Sequence, residues 1–225
     1  MSVTDFAAAR ENMVNSQVRP TDVTDYALID AMLDIPRERF VPSAKRFAAY
    51  IDEDLDISAA AEGSSPRYLL EPSPFAKLVQ LASISPGETV LDVGCNTGYS
   101  TAVIARLCGS VIGIEEDTGL VSFATDALLD LGVDNAVVVE GRLRDGYPKE
   151  APFDAIVIQG AVDEVPETLT SQLRDGGRLV AVVGRGLSGR ARLFVKEEGI
   201  VSSRPVFNAA LPTLEGFTRD VGFVF

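Results

Sequence analysis

The hydrophobic positions of this chain change their spacing near Pro86. Before it, apolar residues such as those in Ala27–Met32 recur at helical spacing. After it, short apolar runs alternate with segments of helical periodicity, a pattern typical of strand–helix repeats. We therefore predict a single domain of 225 residues, with a helical N-terminal region over 1–85 and a sheet region over 86–225.

Within the N-terminal region, capping and breaking residues mark the element ends. Asp22 or Thr24 is predicted to cap a helix that ends at Pro36. The glycines, serines and prolines of Ala59–Pro74 indicate a loop, and a helix is predicted over Phe75–Ala82.

The sheet region predicts alternating strands and helices. Its predicted strands are Thr89–Val93, Val111–Ile114, Ala136–Val139, Ala155–Ile158 and Arg178–Val183, and its predicted helices are Thr101–Leu107, Leu120–Leu131 and Thr168–Leu173. This order indicates a parallel sheet covered on both faces. Two closing strands, Ala191–Lys196 and Val221–Phe225, predict an antiparallel edge. The predicted fold class is α/β: a doubly wound, Rossmann-like sheet, mostly parallel with an antiparallel edge, plus N-terminal helices.

Charge and composition exclude several classes of function. The formal net charge is −13, which argues against binding to nucleic acid or to an anionic membrane. The chain has no histidine, so Ser-His-Asp and Cys-His catalysis and histidine-ligated zinc are excluded, and no metal site is predicted. Its two cysteines indicate a reducing cytoplasm. Met1–Arg10 lacks the pattern of a signal peptide, and charges or turn residues interrupt every apolar run, so no membrane span is predicted.

The sharpest local signal is a glycine-bearing turn between a strand and a helix. The apolar strand that ends at Val93 leads into a turn with Gly94 and Gly98. In a doubly wound sheet this turn lies at the carboxyl end of the first strand, where ligands bind. Glu115 and Glu116 end the next strand about 20 residues later, the spacing at which an acid accepts hydrogen bonds from ribose hydroxyls.

The turn does not match the motifs that bind phosphates. The dinucleotide pattern G-x-G-x-x-G has Asn96 and Tyr99 at its second and third glycines here, and no P-loop pattern occurs. A turn of the form G-x-N-x-G fits a ligand without phosphates. Adenosine joined to methionine, as in S-adenosylmethionine, is such a ligand.

Several segments together resemble one enzyme family. They are Ile35–Pro42 with the preceding Ala31 and Met32, Ala49–Asp52, Val90–Tyr99, Ala151–Ile156, and Val165–Val180. On these segments the chain resembles the protein-L-isoaspartate O-methyltransferases, a family that depends on S-adenosyl-L-methionine. Little resemblance is visible after about Arg185.

The resemblance implies a reaction that needs no histidine. Members methylate the α-carboxylate of an L-isoaspartyl residue in a damaged protein or peptide. The ester then closes to a succinimide, which can reopen as aspartate. A carboxylate is ionised at neutral pH, so it attacks the sulfonium methyl group without a general base, and orientation can supply much of the rate.

The resemblance also implies the site residues. The cofactor-binding positions are Asp92, Gly94, Cys95, Asn96, Gly98, Tyr99, Glu115, Glu116, Gly141, Arg142, Leu143 and Gln159. The catalytic loop falls on Leu70, Glu71, Pro72 and Ser73.

The chain departs from the family at three of these places, and the mildest departure is Asn96 at the middle glycine of the first cofactor motif, because asparagine tolerates unusual backbone angles. The family's Thr-x-Ser-Gln-Pro loop is Tyr68–Pro72 here, so Leu70 replaces the serine hydroxyl and Glu71 replaces the glutamine. Ser64, Ser65 and Ser73 are the hydroxyls that could substitute. The family's Gly-Asp-Gly is Gly141–Leu143, and Arg142 cannot accept a hydrogen bond from adenine, although Asp145 could.

These departures leave alternatives open. A relative that methylates another substrate, or a non-catalytic protein that keeps the fold, competes with isoaspartyl methylation; a nicotinamide oxidoreductase is disfavoured by the turn.

Other polar residues have structural interpretations. Cys95 and Tyr99 are expected to pack rather than react, and Arg37 and Arg39 to pair with acids. The C-terminal stretch Pro205–Phe225, with Phe207, Phe217, Phe223 and Phe225, is expected to close the sheet edge.

Overall fold

The computed structural model describes residues 5–218 except Ala61 and Ser64. Helix α1 (Phe6–Met13) is capped by Asp5 and continues into a π-helical turn over Val14–Val18. Helix α2 (Tyr26–Asp34) is capped by Asp25, whose carboxylate accepts the Ala27 and Leu28 amides at 2.9 and 3.2 Å. The predicted cap at Asp22 or Thr24 is therefore wrong.

The loop predicted over Ala59–Pro74 contains regular structure at its end. Strand β1 (Leu55–Asp56) pairs antiparallel with strand β2 (Tyr68–Leu69), a small sheet that the sequence did not predict. Helix α3 (Pro72–Ala82) begins three residues earlier than predicted, because a proline without an amide hydrogen suits the first turn. Short 3-10 turns occupy Arg19–Thr21, Arg37–Phe40, Ser43–Ala48, Ser58–Ala60, Leu143–Asp145 and Gly186–Ser188.

The sheet region forms one seven-stranded sheet in the order β5-β4-β3-β6-β7-β8-β9. Its strands are β3 (Thr89–Val93), β4 (Ser110–Glu115), β5 (Ala136–Glu140), β6 (Phe153–Val162), β7 (Leu173–Val183), β8 (Arg190–Glu197) and β9 (Ile200–Asn208). The connecting helices are α4 (Tyr99–Ala105), α5 (Thr118–Asp130) and α6 (Glu167–Thr170). Within this sheet, strands β3 to β7 all pair in parallel, and this confirms the predicted doubly wound fold.

The antiparallel edge is confirmed, with a different second strand. β8 pairs antiparallel with both β7 and β9. Glu198 and Gly199, both at positive φ, make the two-residue hairpin turn that joins β8 to β9. The strand predicted over Val221–Phe225 lies outside the described residues. Within the described residues, the strand that pairs with β8 at the edge is Ile200–Asn208.

Alternating strand positions fill two hydrophobic layers. Val90 and Val111 face the helices of the larger layer, whereas Leu91 and Ile112 face a smaller layer on the other side of the sheet. This arrangement leaves the carboxyl ends of β3, β4 and β6 together at one edge. Within the part of the chain described, no helix is long and apolar enough to cross a membrane.

The segment after β9 crosses this carboxyl edge. The Ala161 amide donates to the Pro212 carbonyl at 2.8 Å, and the Leu214 amide donates to the Ala161 carbonyl at 2.9 Å. We call residues 211–217 the strap. Phe207 lies in the edge strand and Phe217, the last residue of the strap, is buried, whereas Phe223 and Phe225 lie outside the described residues.

Candidate functional site

The turn after β3 has left-handed backbone at three of its residues. Gly94, Asn96 and Gly98 have φ values of 76°, 51° and 89°. The Asn96 side-chain amide donates to the Gly94 carbonyl at 2.9 Å, so asparagine stabilises the conformation that it tolerates. A Cβ at Gly98 would lie 3.0 Å from Ala124, which explains why glycine is needed at that position.

Glu115 joins the end of β4 to this turn. Its carboxylate is fully buried and accepts the amides of Asn96, Glu116 and Asp117 at 3.1, 2.9 and 3.2 Å. Burial raises the pKa of Glu115, and Arg67 together with these amides opposes the rise. The structure therefore brings the predicted turn and the predicted acid into direct contact.

Asp92 lies beneath the turn rather than at its surface. Its buried carboxylate accepts the hydroxyls of Ser100 and Thr101 at 2.6 and 2.7 Å and the side-chain amide of Gln159 at 2.7 Å. Burial raises the pKa of Asp92 from 3.8 to about 6, although all three hydrogen bonds oppose the rise. Asp92 thus ties β3, α4 and β6 together at the point where the turn begins.

Arg67 reaches the same acid from a loop that the sequence analysis left without a role. Its guanidinium lies 3.0 Å from a Glu115 oxygen, and both side chains are buried, with 8% and 0% of their surface exposed. We call residues 65–69 the lid. Just before it, the Asp117 carboxylate accepts the Glu62 and Gly63 amides at 3.0 and 2.6 Å. These contacts fasten the lid region to the carboxyl edge of the sheet.

Leu214 of the strap fills the space beside the turn. A Cβ at Gly94 would lie 3.0 Å from the Leu214 side chain, and a Cβ at Gly160 would lie 2.6 Å from it. The cavities that remain here are small: one of about 10 Å³ lies between Leu69 of the lid and the turn, and one of about 20 Å³ lies between the lid, the strap and Asn96. The crevice at this edge is therefore closed by side chains of the chain itself.

The predicted adenine region, Gly141–Leu143, is bonded through two backbone amides to the acids at the end of β4. The Leu143 amide donates to a Glu116 carboxylate oxygen at 2.9 Å, and the Gly141 amide donates to the Glu115 carbonyl at 3.0 Å. Arg142 and Asp145 are both exposed. Arg142 therefore does not fill the crevice.

The loop at the predicted catalytic position is apolar at its centre. Leu70 is buried, whereas Glu71 and Ser73 are partly exposed, and Pro72 and Ser73 belong to the first turn of α3. The Glu71 amide donates to the Asp54 carboxylate at 2.9 Å. Burial raises the pKa of Glu71, and neighbouring acids add to the effect.

The interpretation of Arg37 as the partner of an acid is wrong. Its guanidinium is buried and donates to the carbonyls of Ala49 and Leu70, both at 2.7 Å. It also lies 4.8 Å from the centre of the Tyr99 ring. Among the described residues, neither its Nη1 nor the Tyr99 hydroxyl has a hydrogen-bond partner, and burial lowers the pKa of Arg37.

Three other interpretations hold. Arg39 pairs with Asp130 at 2.8 Å. Tyr99 packs against Phe40 and Phe75 at the start of α4. Cys95 is buried, and burial raises the pKa of its thiol well above the ordinary value, so it is a packing residue.

Comparisons with known proteins point to one family. The family model for protein-L-isoaspartate(D-aspartate) O-methyltransferase matches residues 8–213. The resemblance therefore extends beyond Arg185, where the sequence analysis ended it. The protein-L-isoaspartate O-methyltransferase 1 of Rhodopseudomonas palustris (strain HaA2) is 38% identical over 187 residues, which cover 83% of this chain and 74% of that relative.

A second relative and a solved structure extend the match. The protein-L-isoaspartate O-methyltransferase of Opitutus terrae is 36% identical over 213 residues, which cover 94% of this chain and 87% of that relative. A solved protein-L-isoaspartate O-methyltransferase superimposes with a TM-score of 0.80 at 29% identity. That match covers 92% of this chain and 66% of the solved chain. On the family match and these identities, the chain belongs to the protein-L-isoaspartate(D-aspartate) O-methyltransferase family.

Proposed function

We propose that this chain is an S-adenosyl-L-methionine-dependent protein-L-isoaspartate O-methyltransferase, which methylates the carboxylate of isoaspartyl residues for protein repair. The observation that carries the proposal is the contact between Glu115 and the Asn96 amide at 3.1 Å. This contact joins the acid that ends β4 to a glycine turn that lacks the phosphate-binding motifs, in a chain of this family. An ionised substrate carboxylate needs no general base, which suits a chain without histidine.

The glycine turn and Glu115 have the chemical groups that an adenosyl ligand needs. In this conformation, however, the side chains of Arg67 and Leu214 exclude the ligand. Ligand pockets usually measure about 300–1,000 Å³, whereas the cavities at this turn measure about 10 and 20 Å³. Binding therefore requires Arg67 and Leu214 to leave the positions described above.

On the substrate side, Arg37 is the cation that bonds to the predicted catalytic loop. Its guanidinium donates to the Leu70 carbonyl, and Arg37 lines a small cavity together with Leu70 and Tyr99. A buried guanidinium attracts a carboxylate strongly because little water screens it. Arg37 is thus the group that we expect to orient the substrate carboxylate, in place of the hydroxyl that Leu70 lacks.

We place the reaction in the cytoplasm. Cys95 and Cys108 are both unpaired and buried. Domains that fold in oxidising compartments commonly rely on disulfides, so two free thiols support a reducing compartment.

Methyl transfer to paired peptides tests the proposal. The full chain is incubated with tritiated-methyl S-adenosylmethionine and a peptide that carries L-isoaspartate, alongside the same peptide with ordinary aspartate. We expect base-labile methyl label in the isoaspartyl peptide alone. Label in neither peptide, or equal label in both, would contradict the proposed function.

A further inference from the structure

We infer that Arg67 and Leu214 form a lock that determines whether the crevice at the turn admits an adenosyl ligand. The identity of the ligand rests on the proposed function. The inference itself rests on the two side chains that occupy the crevice, one from the lid and one from the strap.

Arg67 neutralises the acid and lies against one of its two oxygens. Glu115 Oε1 accepts the amides of Glu116 and Asp117, and Oε2 accepts the amide of Asn96. The Arg67 guanidinium is paired with Oε1 at 3.0 Å. A ligand hydroxyl that approaches Glu115 from the lid must therefore displace this guanidinium.

Displacing Arg67 by a ligand is costly because the ion pair between Arg67 and Glu115 is buried. Removing Arg67 from Glu115 leaves a buried carboxylate without its counter-charge, unless the incoming ligand supplies donors at the same moment. Among the described cations, Arg67 is the one paired with Glu115, so this cost falls on one residue. The ion pair thus favours the closed crevice whenever no ligand is present.

Leu214 closes the adjoining space by packing. Its side chain lies against the two glycines that flank the crevice, Gly94 and Gly160, and hydrogen bonds between the strap and Ala161 hold it there. Glycine at both positions leaves room for Leu214. A ligand that lies against the turn at Gly94 must displace this side chain.

The lid and the strap meet beside the turn, and a larger groove adjoins them. A cavity of about 20 Å³ lies between Arg67, Tyr68, Pro212 and Leu214. A groove of about 530 Å³ is lined by lid and strap residues, among them Tyr68 and Leu214. This groove gives side chains of the lid and the strap space to move into.

Binding affinity follows from how often the crevice is open. The observed dissociation constant equals the intrinsic one divided by the fraction of molecules in the open state. Weakening the lock raises that fraction, so it tightens binding without a new contact to the ligand.

Calorimetry with S-adenosylhomocysteine tests the lock on the full chain. The test variants are Arg67→Met and Leu214→Ala, and the double variant combines them. Arg39→Met is the matched control for the cation, because Arg39 forms an exposed ion pair with Asp130. Leu107→Ala is the matched control for the leucine, because Leu107 lies outside the lid and the strap and is 6% exposed, as Leu214 is.

We expect each test variant to bind S-adenosylhomocysteine about tenfold tighter or more, with a larger gain in the double variant. The two controls should stay within about twofold of the unmodified chain. Unchanged or weaker binding in both test variants, absence of binding in every protein, or equal tightening in the controls overturns the lock. If Leu214→Ala fails to fold by circular dichroism, Leu214→Val provides the same comparison.

The outcome separates the lock from the proposed function. If the unmodified chain methylates the isoaspartyl peptide while the test variants bind no tighter, the lock fails and the function stands. If the test variants bind tighter while no protein methylates the peptide, the function fails and the lock stands.

Discussion

Several charged side chains are buried at the carboxyl edge of the sheet, and three of them are held in different ways. Asp92 accepts three side-chain donors, Glu115 accepts three amides and pairs with an arginine, and Arg37 donates to two carbonyls. A buried charge is costly unless its hydrogen-bonding positions are filled. The energetics of these residues therefore decide the stability of the site.

Asp92 should make the stability of the chain depend on pH. Its native pKa of about 6 lies above the ordinary 3.8. The stabilisation from its proton is therefore fully present below pH 3.8 and is lost as pH rises through about 6. Asp92→Asn removes this titration, and its new amide can face the Gln159 Oε1, which has no partner among the described residues.

Urea denaturation between pH 4 and pH 7.5 measures this effect. As pH rises over that range, the unmodified chain should lose about 2–3 kcal/mol of unfolding free energy relative to Asp92→Asn. Parallel stability curves for the two proteins would show that Asp92 has an ordinary pKa.

Arg37 should contribute more to stability than an exposed arginine does. Arg37→Met leaves the buried carbonyls of Ala49 and Leu70 without their donor, at about 1–3 kcal/mol each. We expect a loss of about 2–4 kcal/mol in unfolding free energy, against about 0.5 kcal/mol for the exposed Arg39→Met. Equal losses in the two variants, measured by urea denaturation, would contradict the bridging role.

At the scale of elements, the turn between β3 and α4 is constrained by both backbone angle and neighbours. Gly94 and Gly132 both have positive φ, at 76° and 65°, but only Gly94 has atoms within 4 Å of an added Cβ. Gly132→Ala is therefore a control that carries the backbone strain without the crowding.

Alanine at these two glycines should separate strain from crowding. We expect Gly132→Ala to cost about 1 kcal/mol of unfolding free energy, and Gly94→Ala at least about 1 kcal/mol more because Leu214 must shift. In a Leu214→Ala background the extra cost of Gly94→Ala should disappear. An extra cost that persists there would show that Leu214 is not the neighbour responsible.

The elements that the sequence predicted correctly are those whose hydrophobic positions have a clear periodicity. Strands such as β3 matched residue for residue, because a buried run with a turn on each side has one register. Strand β2 was missed because its two residues lie in a glycine- and proline-rich segment and owe their form to pairing with β1. The antiparallel partner β9 was missed because its residues are mostly exposed and carry little hydrophobic periodicity.

For the molecule as a whole, the sequence predicted the place of the site but not its closure. The turn and Glu115 follow adjacent parallel strands, so topology alone brings them together. Arg67 and Leu214 reach the same point from distant parts of the chain, through a loop and a strap that have no regular pattern. Such contacts depend on tertiary packing, and no local signal in the sequence indicates them.

Hydrogen–deuterium exchange with and without S-adenosylhomocysteine shows where along the full chain the ligand binds and which segments open. We expect slower exchange for peptides that cover 94–100 and 115–117, since these amides surround the proposed site. We expect faster exchange in the lid, residues 65–69, and in the strap, residues 211–217, as the lock opens. Unchanged exchange at the turn under saturating ligand, or protection confined to another part of the chain, would contradict these expectations.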